Sequence, residues 1–141
     1  MAPHALGLEI TESVLLEGGT TTLETITTLR ASGVRVMLDD FGTGYSSLSY
    51  LRRFPLDVLK IDRSFITSVH ESIESRVIVE AITAMAYALG IDVTAEGVET
   101  VEQLDALREL GCASVQGYLL ARPMSAEGLA DYLRSDGDGH A

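Results

Sequence analysis

The sequence alternates short apolar segments with longer segments that have helical spacing. The short segments are rich in β-branched residues and are predicted to be strands, at 5–10, 34–38, 58–61, 91–95 and 114–118. The helical segments lie at 21–32, 72–89, 100–110 and 125–133. Such alternation, without a linker between units, predicts an α/β fold with a parallel sheet and crossover helices. The alternation alone does not distinguish a doubly wound sheet from a (β/α) barrel.

Capping signals support two of these helices. Thr21 is a candidate N-cap with Glu24 at the third helical position, and Gly33 stands where a C-cap glycine belongs. Thr100 and Gln103 have the spacing of a second capping box. The helical spacing also predicts which apolar residues are buried, namely Ile73, Val77, Ile78, Ala81, Ile82, Met85 and Leu89 in one helix and Val101, Leu104, Leu107 and Leu110 in the next.

The length of 141 residues suits one domain, which we expect to span 1–133. Residues 134–141 have nothing to bury and are predicted to form a disordered tail. A glycine- and serine-rich segment after residue 38 is predicted to be a mobile loop that runs into a short helix. A complete (β/α)8 barrel needs roughly 200 residues or more, so a chain of this length can form only part of one.

Charge and cysteine content limit the partners and the compartment. The formal net charge is −11, which disfavours binding to nucleic-acid polymers and to anionic membrane surfaces. Cys112 is the only cysteine, so an intrachain disulfide is impossible and a reducing compartment is expected. No apolar run approaches the roughly 18 residues of a membrane span. We therefore expect a cytoplasmic chain without membrane contact.

Polar residues occur at or just beyond every predicted strand. They are Glu9 and Glu12, Asp39 and Asp40, Lys60 and Asp62, Glu96 and Glu99, and Gln116. Because the carboxyl ends of parallel strands lie together and bind ligands, these side chains are predicted to share one face. So many carboxylates can be ionised together only if cations lie among them. Oxygen ligands without histidine or cysteine favour Mg²⁺ or Mn²⁺, with Ca²⁺ possible, over zinc.

Two divalent cations at one site are typical of phosphodiester hydrolysis, in which they activate a water and neutralise the phosphate. A nearby lysine can position that water or stabilise developing charge. Each residue also has an ordinary structural explanation. A single carboxylate after a strand commonly caps a helix, Lys60 could extend from a strand to solvent, and Gln116 could be a satisfied core amide. The combination of all of them at strand ends favours a site.

Four segments of the chain resemble the EAL domain family. They are LEITES at 8–13, LDDFGTGYSSLSYLRRFPLDVLKIDRSFI at 38–66, VIVEAITAMAYALGIDVTAEGVET at 77–100 and QGYLLARPM at 116–124. The resemblance covers the chain from about residue 6 to residue 133. It implies a modified (β/α)8 barrel that hydrolyses the bacterial second messenger cyclic di-GMP to the linear dinucleotide with Mg²⁺ or Mn²⁺.

The resemblance also implies roles for individual residues. The implied metal ligands are Glu9, Asp39, Asp40 and Glu96. Lys60 resembles the lysine that contacts the catalytic water, and Glu99 resembles the glutamate that helps to fix that lysine. Gln116 resembles the glutamine that contacts the guanine-bearing ligand, and Glu12 the glutamate that holds the glycine-containing loop.

The chain departs from the family pattern at its beginning. The glutamate of the Glu-Ala-Leu signature, the arginine shortly after it and the asparagine on the next strand have no counterpart. We therefore expect a partial barrel of about five parallel strand–helix units, without the N-terminal units. Its partners would be cyclic di-GMP and either a second copy or the missing half. The alternatives are a non-catalytic relative that binds cyclic di-GMP or another protein, and a doubly wound regulatory domain.

Overall fold

The computed structural model describes residues 2–42, 48–112 and 114–137. Five parallel strands form one sheet in the order β1-β2-β3-β4-β5. The strands are β1 (Gly7–Thr11), β2 (Arg35–Phe41), β3 (Val58–Ile61), β4 (Asp92–Glu96) and β5 (Ser114–Gln116). The helices are α1 (Glu12–Ala31), α2 (Leu48–Arg53), α3 (Arg63–Ile66), α4 (Ile73–Ala88), α5 (Val101–Glu109) and α6 (Ala126–Gly137), and Pro3–Ala5 forms a short 3-10 helix. The predicted α/β class and parallel sheet are confirmed.

The core is built around the middle of the sheet. All four residues of β3 are buried, as are Val36 and Leu38 of β2 and Val93 and Ala95 of β4. The prediction of β3 at 58–61 is confirmed to the residue. By contrast, four of the five residues of β1 are exposed, because β1 is an edge strand with a neighbour on one side only.

The first helix begins earlier than its capping signal predicted. Thr11 at the end of β1 is the N-cap, so Thr21 lies inside α1 and its prediction as the N-cap is wrong. Gly19 interrupts α1 with φ 54° and ψ −140°, so the segment predicted from Thr21 is the second part of a kinked helix. Glycine adopts this left-handed backbone without the cost that a Cβ would add, which places the kink there.

The predictions of a C-cap glycine at Gly33 and of a capping box at Thr100 and Gln103 are confirmed, but part of the predicted burial is wrong. Thr100 and Gln103 form the predicted capping box of α5. The predicted burial is wrong for Ile73, Val77, Ala81 and Val101, which are exposed. The residues of α4 that pack on the sheet are Val79, Ile82 and Ala86. Because α4 is apolar around much of its circumference, spacing alone does not identify the buried face. Leu89, also predicted to be buried, is 43% exposed.

Several element ends also differ from prediction. β1 begins at Gly7 because residues 3–5 form the 3-10 helix, and β2 continues through Asp39 and Asp40 to Phe41. β5 ends at Gln116. The backbone of the next residue, Gly117, lies so close to Val98 that an added Cβ would be 2.2 Å from the Val98 carbonyl oxygen. The last helix α6 continues to Gly137, so it includes part of the predicted tail. Residues 43–47 of the predicted loop and 138–141 of the tail lie outside the described residues.

Two ion pairs lie at the amino end of the sheet. The Arg30 guanidinium donates to the Asp57 carboxylate, with Nη2 2.9 Å from Oδ1, and the Val36 amide donates to Oδ2 at 2.8 Å. The Arg35 Nη2 lies 3.0 Å from Asp92 Oδ2. The hydrogen bonds to Asp57 outweigh the effect of its burial and hold its pKa below the ordinary value. In the described parts of the chain, no helix is long and apolar enough to cross a bilayer.

Candidate active site

The carboxyl end of β2 brings two consecutive aspartates to one place. Adjacent residues of a regular strand point to opposite faces. Here the pairing of β2 with β3 shifts between Leu38 and Phe41, and Asp40 adopts a left-handed φ of 56°. The Asp40 amide donates to Asp39 Oδ1 at 2.9 Å, which supports this bend. The local irregularity therefore lets both carboxylates belong to the same site, at a backbone cost typical of functional positions.

Lys60 lies at the centre of the site. Its side chain is 3% exposed, and it is the only lysine in the sequence. Lys60 Nζ lies 2.7 Å from Glu96 Oε1 and also donates a hydrogen bond to Glu9 Oε1. Burial alone would lower the pKa of Lys60, but these two carboxylates outweigh it and raise the pKa above its ordinary value. The ammonium is therefore charged and held between β1 and β4.

The carboxylates form two groups of three. Glu9, Asp39 and Glu96 each place one oxygen within 4.8 Å of the others, and so do Asp40, Asp62 and Glu96. Glu96 belongs to both groups. Every donor is a carboxylate oxygen, which is the chemistry that Mg²⁺, Mn²⁺ and Ca²⁺ prefer. The donor set of this chain therefore fits divalent cations.

The charge state of the site reflects this crowding. Burial, together with the nearby Asp39, raises the pKa of Glu96 to about 7, although Lys60 acts in the opposite direction. Burial and Asp39 also raise the pKa of Asp40, and the adjacent carboxyl of Asp62 adds to that. Hydrogen bonds from Ser64 outweigh the burial of Asp62 and lower its pKa. One lysine does not neutralise five acids, so the site retains a strong attraction for further positive charge.

Two side chains hold the turn that follows Asp40. The Gly42 amide donates to Glu12 Oε1 at 3.4 Å, which is a long hydrogen bond. The ring of Phe65 packs directly against Gly42, where an added Cβ would lie 2.8 Å from the ring. Gly42 also has a φ of 96°, so both its backbone and its surroundings require glycine. Glu12 thus contacts the start of the loop that it was predicted to anchor.

Two predicted site residues are not brought into the acidic cluster. The backbone amide of Glu99 donates to Gln103 in the capping box, and its side chain is exposed without a described contact to Lys60. Gln116 pairs with Glu96 in the sheet register, but its side chain is exposed and its described hydrogen bond is through the backbone. Their assigned roles remain predictions.

Asp62 is one of the strand-end residues predicted to share the candidate face, but the sequence assigns it no individual role. It follows β3 directly, caps α3 through Ser64 and joins Asp40 and Glu96 in the second carboxylate group. The signal for it is its position two residues after Lys60 at the end of a strand. An N-cap explanation is equally available from the sequence, and the structure shows that Asp62 does both.

Comparison with known proteins identifies the family. The profile of the EAL domain matches residues 1–123, which is most of the chain. The chain belongs to the EAL family. It is 51% identical over 135 residues to cyclic di-GMP phosphodiesterase NbdA of Pseudomonas aeruginosa, a match that covers 96% of this chain and 17% of NbdA. The predicted family membership is thereby confirmed, and the doubly wound alternative is wrong.

Solved EAL structures have the same fold over the matched region. The MucR phosphodiesterase of Pseudomonas aeruginosa in complex with c-di-GMP superposes with a TM-score of 0.82 at 47% identity, covering 92% of this chain and 52% of that one. The manganese and c-di-GMP complex of Klebsiella pneumoniae BlrP1 gives 0.78 at 35% identity, covering 84% of this chain and 30% of BlrP1. This EAL chain thus spans about half of the MucR structure, and the five-stranded sheet is a partial barrel.

Proposed function

We propose that this EAL chain carries the carboxylate and lysine part of a phosphodiesterase site that hydrolyses cyclic di-GMP to the linear dinucleotide with two divalent cations. The observation that carries the proposal is the pair of carboxylate groups that share Glu96 and surround Lys60. NbdA is named a cyclic di-GMP phosphodiesterase, and the MucR and BlrP1 structures contain the dinucleotide. The BlrP1 complexes with manganese and with calcium support a divalent cation, and we favour Mg²⁺ or Mn²⁺.

Five carboxylates of this chain would hold the cations, namely Glu9, Asp39, Asp40, Asp62 and Glu96. When bound, such cations activate a water and neutralise charge on the phosphate and the leaving oxygen. Lys60 keeps a full positive charge inside the cluster and presents its N–H donors to oxygens there. Glu12 holds the turn that carries Asp40. We assign Gln116 to contact with the dinucleotide and Glu99 to support of Lys60.

We further propose that the site is incomplete in this chain alone. The chain spans 52% of the MucR chain, and five parallel strands are too few to close an eight-stranded barrel. The exposed backbone of β1 and exposed apolar side chains nearby, such as Leu8 and Leu16, favour association with another strand or another copy. Light scattering should therefore detect self-association, and a monodisperse, well-folded monomer would contradict this part of the proposal.

The decisive experiment separates the chemistry of the chain from its incompleteness. In an exchanged domain, residues 6–133 of this chain replace the matching segment of the MucR EAL domain. The product of cyclic di-GMP turnover with MnCl2 is followed by chromatography. We expect the exchanged domain to form the linear dinucleotide. Asp39→Ala in that domain should reduce the rate roughly a hundredfold or more. The matched control Arg35→Met, at the opposite end of the sheet, should retain the rate.

The chain by itself should show little or no turnover. Robust hydrolysis by the chain alone, abolished by Asp39→Ala, would contradict incompleteness and support the activity. A folded exchanged domain that binds cyclic di-GMP without cleaving it would contradict the activity. That last result would favour the alternative function of a non-catalytic cyclic di-GMP-binding module.

A further inference from the structure

Lys60 occupies the position toward which the carboxylates converge. Its ammonium contacts Glu9 and Glu96, which supply two of the three oxygens of the first group. No other lysine or arginine forms an ion pair with these acids in the described part of the chain. The Lys60 ammonium is therefore the internal cation of the site, and it uses oxygens that a divalent cation would also use.

The two carboxylate groups differ in how strongly Lys60 engages them. In the group of Glu9, Asp39 and Glu96, Lys60 contacts two members. In the group of Asp40, Asp62 and Glu96, it contacts only Glu96. A cation entering the first group must compete for both contacts of the ammonium, whereas a cation entering the second group must compete for one. Like charges that share oxygens in a partly buried site repel strongly.

We propose that Lys60 is a built-in competitor for the divalent cation, so that the Asp40 group fills first and the Glu9 group fills only when the ammonium leaves Glu9. The proposal rests on the cation site of the proposed function. The backbone of Lys60 is fixed in the middle of β3, but its four-carbon stem allows the ammonium to move while the strand stays in place. Filling the Glu9 group would thus release the ammonium of Lys60 to contact other groups in the site.

The first test observes Lys60 directly, without cyclic di-GMP. Because the chain has one lysine, protein grown with lysine labelled at Cε and Nζ gives one side-chain signal in NMR spectra. We expect a small shift of this signal while the tighter Mg²⁺ site fills during a MgCl2 titration, because only the Glu96 contact is affected. We expect a larger shift while the weaker site fills, because the Glu9 contact is then lost. A signal that stays fixed up to saturation would overturn the proposal, as would a shift that is complete when the tighter site is filled.

The second test compares Lys60→Met with Arg35→Met by MnCl2 titration, using calorimetry and the electron paramagnetic resonance of free Mn²⁺. Both variants lose one positive charge from an ion pair, but Arg35 lies at the amino end of the sheet. We expect Lys60→Met to raise the Mn²⁺ affinity of the weaker site by about tenfold. If the parent chain binds no Mn²⁺ at that site, we expect the variant to gain it. Arg35→Met should leave Mn²⁺ binding unchanged.

Weaker or unchanged Mn²⁺ binding by Lys60→Met would overturn the competition, and so would the lack of Mn²⁺ binding by both the parent chain and that variant. The NMR titration uses the unaltered chain, so it tests the competition even if Lys60→Met does not fold. Neither test involves cyclic di-GMP. A domain that cleaves no dinucleotide but shows the predicted Lys60 response therefore refutes the proposed function alone.

Discussion

The two ends of the sheet treat charge in opposite ways. At the amino end, each carboxylate has its own guanidinium, Asp57 with Arg30 and Asp92 with Arg35. At the carboxyl end, five carboxylates lie around the single ammonium of Lys60, which forms ion pairs with Glu9 and Glu96. The pKa values respond accordingly, because that of Asp57 lies below its ordinary value while that of Glu96 rises to about 7.

This difference separates residues that stabilise the fold from residues that prepare the site. The Asp57 carboxylate joins the end of α1 to β2 and satisfies the Val36 amide, so the fold gains from its charge. The Asp39 carboxylate adds to the repulsion around Glu96, so the fold gains little from it without a cation. Sites that bind charge are commonly destabilising to the protein that carries them.

Substitution of one aspartate at each end gives the largest expected contrast. Asp57→Ala should lower the free energy of unfolding by about 2 kcal/mol, because it leaves the Val36 amide and Arg30 without their acceptor. Asp39→Ala should lower it by no more than about 0.5 kcal/mol, since it also removes repulsion. Urea denaturation at pH 7 with EDTA present measures both values. Equal losses would remove the distinction between the two ends.

The free energy of unfolding should fall on both sides of an optimal pH. We call these two declines the acid limb and the neutral limb, and each end of the sheet should cause one of them. Glu96 has a folded pKa of about 7, above its ordinary 4.5, so its stabilising contribution is complete below about pH 4.5 and is lost as the pH rises to about 7. Asp57 has a folded pKa below 3.8, so its contribution is present above pH 3.8 and is lost as the pH falls through the folded value. Without metal, the free energy of unfolding should peak between these limbs.

Two variants identify which residue causes each decline in the free energy of unfolding. Glu96→Gln should reduce the decline in the free energy of unfolding toward pH 7, with Asp40 contributing the remainder. Asp57→Asn should flatten the acid limb and leave the other one unchanged. Denaturation curves at several pH values in EDTA measure both. A decline toward pH 7 that persists in full in Glu96→Gln would show that the crowded end is not its source.

The smallest expected effect distinguishes the two pairs at the amino end. Arg35 and Asp92 are both substantially exposed, at 47% and 71% of their side chains, whereas Asp57 is 24% exposed. Arg35→Met should therefore change the free energy of unfolding by less than about 0.5 kcal/mol. A loss comparable to that of Asp57→Ala, measured by the same denaturation, would mean that the exposed pair also fastens the sheet.

Much of this architecture could be predicted from local sequence signals. The β3 segment is uniformly apolar except for Lys60, and the Thr100–Gln103 capping box is encoded within four residues. The start of α1 could not be predicted, because the kink at Gly19 makes the second part of the helix look like a separate one. The exposure of Ile73 depends on which face of α4 meets the sheet, and that is a tertiary property.

In the candidate site, too, some features are predictable from the sequence and others depend on the tertiary structure. Parallel topology places Glu9, Asp39, Lys60 and Glu96 together, as the strand-end pattern predicts. Asp62 could not be singled out, because its local role as an N-cap explains it equally well from the sequence. The distances that make Glu96 common to two groups depend on the bend at Asp40, and no local rule predicts a left-handed aspartate there.

The bend at the end of β2 changes the phase of the strand. Leu38 and Phe41 are both buried although they are three residues apart, whereas a regular strand repeats every two. The alternation of inward and outward positions is therefore offset by one residue beyond Leu38. Asp39 and Asp40 are the only residues between Leu38 and Phe41, so a one-residue deletion that restored regular alternation would remove one of the two aspartates. Length at this point is thus as strictly constrained as residue identity, and natural insertions or deletions should be rarer here than substitutions.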